Sequence, residues 1–444
     1  MGQPENVARS VPWWSRLLSP IADIRPGEAA TVLLLGVNVF CLLALYYVLK
    51  TVREALILTE SGAEVKSYAA AGQALLLLVA VPAYAALASR VNRVWLVGGV
   101  TLFFASHLLV FYALGMASVP VGVPFFLWLG VFNLVVIAQF WAFANDLYSR
   151  EAGKRLFPLI GLGSALGAWL GAQFASSLFA AIGPFHLLLV AAGGLVFCVL
   201  VTIWVHEREK GREEGAAGEG ERPLGKEGAF RLIFRDRYLL LIALLLVLVN
   251  VVNTVGEFLL GSLVVQEASR VAAAQGIERG VFIGRFYGSF FAWVNLLGFL
   301  FQLLLVPRLF KHLGVNGTLF VLPIVALLSY GTLVFVPILG VVRLMKTLEN
   351  ASDYSIQMTT RHALFLPTSR EAKYKAKQAI DSFFWRAGDL LQAGVVFFGA
   401  RLGFGMRDYA LLNIVFVGVW LVIVVAIARD YRERIKARPA RAVA

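Results

Sequence analysis

Apolar residues along this chain come in long runs rather than in the one-faced or alternating patterns of a soluble protein. Twelve runs can be drawn, near residues 28–50, 67–89, 94–116, 121–147, 157–181, 184–206, 238–266, 282–306, 315–337, 338–362, 377–401 and 408–429. The ninth and tenth are separated only by a turn at Pro337. A bilayer core about 30 Å thick needs about 20 residues of helix at 1.5 Å rise per residue. Open strands cannot cross it, because lipid offers backbone N–H and C=O groups no partner. The pattern therefore predicts an all-α polytopic membrane protein with twelve transmembrane helices.

Composition agrees with that pattern. Of the 444 residues 59% are hydrophobic and 15% charged, against about 45–50% and 25% in soluble domains. This excludes a soluble enzyme, a disordered chain and a disulfide scaffold. Cys41 and Cys198 sit inside apolar runs without metal-like spacing and read as buried thiols. The net charge of +13 would suggest nucleic acid in a soluble protein. Here, with both termini placed inside, 29 of the 40 lysines and arginines fall on the inner tails and connections, eight on the outer connections and three within spans. That bias is the positive-inside rule. It predicts cytoplasmic termini and no nucleic-acid partner. Arginine outnumbers lysine 29 to 11, which fits a GC-rich bacterial gene and a bacterial inner (plasma) membrane. Trp13, Trp14, Arg16, Leu17 and Leu18 suit a short helix at the headgroups.

Residues 207–229 break the apolar rhythm with Gly, Glu, Lys and Arg, a linker composition. The predicted organisation is an N-tail (1–27), a six-helix bundle (28–206), a cytoplasmic linker (207–237), a second six-helix bundle (238–429) and a basic tail (430–444). The halves echo one another. Ser149-Arg150-Glu151-Ala152 follows span four, and Ser369-Arg370-Glu371-Ala372 follows span ten, 220 residues later. Two such pseudo-repeats resemble the major facilitator architecture. The segment Leu87–Arg93 resembles that superfamily's basic loop, with Ser89 and Asn92 where Asp and Gly are usual.

A charge at mid-bilayer costs about 2.5–3.5 kcal/mol on insertion scales, so charged spans mark the pathway. Span one ends with Lys50 and Arg53 on one face, followed by Glu54. In span ten Arg343, Lys346, Asn350 and Asp353 form one stripe, with Glu349 beside it. This is either a neutralised seam between helices or a lining for a charged solute. Span eleven carries Arg386 and Asp389; span seven carries Asn250, Asn253 and Glu257 on successive turns. Asn145 and Asp146 end span four, and Gly163, Gly167 and Gly171 in span five have the spacing of close helix packing. No catalytic set, metal site or cofactor motif is present. No Gly-rich phosphate loop ends in Gly-Lys-Ser/Thr, so neither an enzyme nor an ATP-driven pump is expected.

Specific strings resemble the ATP/ADP translocases of plastids and intracellular bacterial parasites. They are Phe140–Asn145, then Lys154–Gly163, and in the second half Pro367, Glu371, Lys373, Lys375, Lys377, Ile380 and Asp381. Leu49–Glu54 is similar to that family's first-span signature. The resemblance implies nucleotide exchange through a first-span cation, acids in spans four and seven, and an eleventh-span cation. Carried over, these fall on Arg53 with Glu54, on the uncharged stretch Leu129–Val131, on Asn253 with Glu257 one turn on, and on Asp389 with Arg386 nearby. Three of the four positions have changed type.

The expected function is secondary transport of an organic anion, a nucleotide or phosphorylated metabolite, by a monomer that rocks around a midplane site. Lys50, Arg53, Asn145, Asn253, Arg343, Lys346 and Arg386 would bind the anion; Glu54, Asp146, Glu257, Asp353 and Asp389 would couple or gate. Two rivals are a proton-coupled exporter with Glu257 or Asp389 titrating, and a sensor that kept the fold without transport.

Overall fold

The computed structural model describes residues 25, 28–210 and 228–441, and every regular element among them is a helix. The anticipated headgroup helix near Trp13 and most of the linker lie outside the described residues. The first bundle contains α1 (Ala29–Glu60), α2 (Gly62–Ala88), α3 (Arg93–Met116) and α4 (Gly122–Leu147). Its last helical stretch, Arg150–Glu209, holds α5 and α6, which meet at Gly183. Gly183 has φ +73°, a conformation a side chain disfavours, and Pro184 after it starts the next helix. The second bundle follows a two-turn helix, Ala229–Arg235. It contains α7 (Arg237–Gln275), α8 (Arg279–Leu300, running on through Val306–Thr318 to a break at Gly314) and α9 (Val321–Phe335). α10 begins as Leu339–Ser352 and continues to Leu364, α11 ends as Trp385–Arg401, and α12 is Met406–Arg441.

Eight helices are long and apolar enough to cross a membrane, and one of these folds back at Gly183 to pass twice. α9 is shorter but apolar. α10 and α11 carry the intramembrane charges, and they contain turns of π-helix at Asp353–Gln357, Ala372–Ala376 and Ile380–Phe384. Such turns cluster at functional sites.

The repeated Ser-Arg-Glu-Ala segment makes the same local contact twice. Ser149 Oγ accepts the Ala152 amide at 3.3 Å to cap α5, and Ser369 Oγ accepts the Ala372 amide at 3.2 Å at the start of α11. Both serines take up helix-terminal amides that have no intrahelical partner. On the face that holds the described ends of the chain, Glu28 pairs with Arg155 at 2.9 Å and Asp236 with Arg434 at 2.6 Å. Partial burial raises the Glu28 carboxyl, but Arg155 and the Arg25 amide outweigh it and hold it below the usual carboxylate range. On the opposite face Glu60 accepts the Gly122 amide at 2.6 Å, tying the end of α1 to the start of α4.

Within the first bundle α1 lies against α4, α5 and α6; within the second, α7 lies against α11 and α12. The bundles meet where α8 packs on α1 and α5, and where α2 packs on α7 and α11. These junctions favour the face opposite the termini. Ser67 Oγ accepts from Gln392 Nε2 at 3.0 Å, and a Cβ on Gly288 would stand 2.7 Å from the Ser176 backbone nitrogen. Towards the terminal face α5 and α8 diverge around an apolar cleft of about 720 Å³ bounded by Gly161, Ala165, Gly298 and Leu303. The molecule is held closed on the face opposite the termini, where the described contacts between the bundles concentrate.

Candidate functional site

Between the bundles lies a cavity of about 320 Å³, at the lower end of the range of small-molecule sites, about 300–1,000 Å³. α1 supplies Tyr46, Lys50, Arg53 and Glu54; α2 supplies Lys66 and Gln73; α4 supplies Phe126, Gly130 and Asn133. From the second bundle come Asn253 and Glu257 of α7, Phe291 of α8, Asn350 and Tyr354 of α10, and Trp385, Arg386 and Gln392 of α11. Four cations (Lys50, Arg53, Lys66, Arg386) face two carboxylates (Glu54, Glu257). The wall is formally positive by two charges.

Charge on the first-bundle side is organised around Glu54. Its side chain is 1% exposed and bridges Arg53 and Lys66, the latter at 2.6 Å. Without both partners a buried carboxylate would be prohibitive. Arg53 stacks 4.5 Å over the Phe126 ring. Lys50 differs from its neighbours: among the described residues no carboxylate lies within 4 Å of it. Its ammonium sits 4.2 Å over Phe291 and 5.2 Å over Tyr47. Lys66 lies 5.4 Å over Tyr287. Phe291 and Tyr287 belong to α8, so cations of one bundle rest on aromatic faces of the other.

The second-bundle side is a hydrogen-bonded frame. Asp389 is buried behind Arg386 and accepts from it at 3.2 Å and from Asn250 Nδ2 at 2.7 Å. Glu257 accepts from Asn350 at 2.9 Å and lies 3.9 Å from Lys346. Lys346 is committed to Glu349 at 3.0 Å and Asn253 Oδ1 at 2.8 Å, with the Tyr330 hydroxyl 3.1 Å from the same Glu349 oxygen. This is the neutralised seam that the span-ten stripe allowed.

Lys50, Arg53, Glu54, Asn253, Glu257 and Arg386 thus meet at one cavity. Lys346 and Asp389 stand behind it, holding neighbours in place. Asp353 is half-buried in the π-turn of α10 and is not among the cavity residues. Arg343 is elsewhere: it lines a separate pocket on the opposite face, because the α10 stripe runs along the helix past the cavity's end. Asn145 and Asp146 are exposed at the terminal-face end of α4, also away from the cavity. Glu257, without a partner in its own helix, finds Asn350 and Lys346 on α10. Of the uncharged stretch at Leu129–Val131, Leu129 and Gly130 face the cavity, where Asn133 nearby supplies polarity. Sequence reasoning missed Lys66, Gln73, Asn133 and Gln392. Lys66 near the start of α2 has the look of an interfacial anchor; the only signal was an acid, Glu54, nearly two turns before the preceding helix ends. The glycine series packs as read: Cβ atoms on Gly163, Gly167 and Gly171 would stand 2.5, 2.2 and 2.3 Å from the carbonyl oxygens of Gly36, Phe40 and Ala44.

No protein-family model matches the chain. It is 22% identical to ADP,ATP carrier protein 4 of Rickettsia conorii over 98% of this chain and 99% of that protein. It is 26% identical to ADP,ATP carrier protein 2 of Chlamydia trachomatis over 69% of this chain, and there it spans 64% of the relative's length. Among solved structures it superposes on a bacterial homologue of the human lysosomal transporter Spinster with a TM-score of 0.62 at 15% identity, covering 93% of this chain and 99% of the other. For the nucleoside transporter NupG the TM-score is 0.61 at 13% identity, covering 89% and 98%. The chain is thus similar in sequence to bacterial ADP,ATP carrier proteins and shares its fold with solved bacterial membrane transporters.

Proposed function

We propose that the protein is a secondary transporter that exchanges nucleotides, or phosphorylated metabolites of similar charge, by alternating access. The observation that carries this reading is the cavity itself: four cations from both bundles converge where the bundles meet. Lys50 is the cation poised for a ligand, since its counterpart in this state is a π-face rather than a carboxylate. An arriving phosphate would replace Phe291 at Lys50 and engage Arg386, while Phe126 and Trp385 offer flat faces to a base. Because Lys50 and Lys66 hold α8 through Phe291 and Tyr287, withdrawing Lys50 from its ring loosens the closed face. Ligand binding and bundle rocking are then linked through the same contacts.

Ligand stabilisation of the purified chain tests the reading. ATP or ADP at about 100 times its Kd should stabilise the fold by about 2.7 kcal/mol, whereas adenosine, lacking phosphate, should leave the melting temperature unchanged. Equal shifts with adenosine, or none with any phosphorylated compound, would contradict it.

A further inference from the structure

The face opposite the termini is poor in positive charge; only eight of the 40 lysines and arginines fall on its connections. One of those, Arg270, nevertheless converges with Arg285 of α8 and Arg343 of α10 around one pocket of about 600 Å³. The pocket's single carboxylate, Glu267, is taken by Arg270 at 2.6 Å. Arg343 is half-buried, donates to Ser289 Oγ at 2.8 Å and lies 5.3 Å over the Phe286 ring. Among the described residues no carboxylate lies within 4 Å of Arg343 or of Arg285. The rest of the wall is apolar, and exposed Ile338 beside it opens the pocket to the perimeter of the bundle.

We infer that this pocket binds an anionic phospholipid, its phosphate on Arg285 and Arg343 and the first part of its acyl chain along Phe282 and Ile338. Three guanidinium groups with one carboxylate between them need an anion, and arginine meets phosphate oxygens through paired, charge-assisted hydrogen bonds. The position decides between a lipid and a free phosphate compound. The pocket lies where α7 ends at Gln275 and α8 starts at Arg279, at the boundary between headgroups and acyl chains, with charge on one side and hydrocarbon on the other. The inference does not depend on what the central cavity carries. Arg343, expected from the sequence to bind the transported anion, is assigned instead to a lipid.

The test uses the full chain in nanodiscs of phosphatidylcholine, with and without phosphatidylglycerol, followed by melting temperature and by native mass spectrometry of retained lipid. Phosphatidylglycerol should raise the melting temperature of the parent and remain bound. Arg285→Gln, at an exposed position where folding is not at stake, and Arg343→Gln should each weaken retention roughly tenfold, about one charge-assisted hydrogen bond. Millimolar glycerol phosphate in plain phosphatidylcholine discs should not reproduce the gain. Undiminished retention in Arg285→Gln, or an equal gain from glycerol phosphate, would overturn the assignment.

Discussion

Glu54 and Asp389 show what a buried carboxylate does in this cavity: each fixes the cations that face the ligand. Glu54 holds Arg53 and Lys66, and Asp389 holds Arg386 while itself tied to Asn250. Asp389→Asn should therefore act as a loss of support rather than as a change in the cavity's preference among anions. Removing the charge from this pair should cost about 1–3 kcal/mol, weaken ATP and ADP binding together, and leave their ratio unchanged. Melting temperature and binding measured on one preparation check this; a fully stable variant with an altered ATP-to-ADP ratio would place Asp389 in the ligand's field. At this scale the sequence was partly legible. A charge inside an apolar run is visible, so Lys50, Arg53, Glu257 and Arg386 could be named. Which neighbour each side chain meets depends on tertiary packing. Arg343 and Lys346 share one helical stripe yet serve different places, and Lys66 hides in a first turn where lysine is ordinary.

Small residues and caps carry the helices. Gly167 lets α5 approach α1 so closely that a Cβ would lie 2.2 Å from the Phe40 carbonyl oxygen, whereas Gly161 has nothing within 4 Å. Gly167→Ala should cost about 1–3 kcal/mol as overpacking against unyielding backbone. Gly161→Ala should be neutral or stabilising by up to about 1 kcal/mol through helix propensity. Thermal unfolding of the two variants in one detergent compares them directly; equal melting temperatures would remove the close-packing account. Both the glycine spacing and the repeated Ser-Arg-Glu-Ala segment were readable, because each is a local signal with a local job. The π-turns in α10 and α11 were not, since nothing in an apolar period marks one extra residue in a turn. Charge in these two helices also blurred their apolar character, although their positions after Pro337 and Pro367 bounded them.

For the whole molecule, the closed face rests on contacts that must break for the cavity to open the other way. At Gly288 one of these is backbone to backbone, its absent Cβ falling 2.7 Å from the Ser176 backbone nitrogen. A leucine there cannot fit the present arrangement, so Gly288→Leu should drive the bundles apart on this face. With Cys41 and Cys198 replaced by serine, a short bis-methanethiosulfonate joining Ser67→Cys to Gln392→Cys reports that closure. Cross-linking should be efficient with glycine at 288 and fall sharply with leucine; equal yields would mean the α5–α8 contact does not govern closure. The all-helical membrane plan was legible because lipid forces long apolar runs and helical backbone. The closed face was not, because cation–π contacts between Lys50 and Phe291 or Lys66 and Tyr287 join residues far apart in the chain.

The central claim is that a cationic cavity between two rocking bundles exchanges nucleotides, and counterflow measures it most directly. Purified protein would be reconstituted into liposomes loaded with ADP or with buffer, and entry of labelled ATP followed from outside. The account predicts rapid uptake into ADP-loaded vesicles, little into empty ones, and a loss of roughly tenfold or more in Lys50→Gln, the removal of about one charge-assisted phosphate contact. Uptake that ignores internal nucleotide, or that survives Lys50→Gln undiminished, would contradict it.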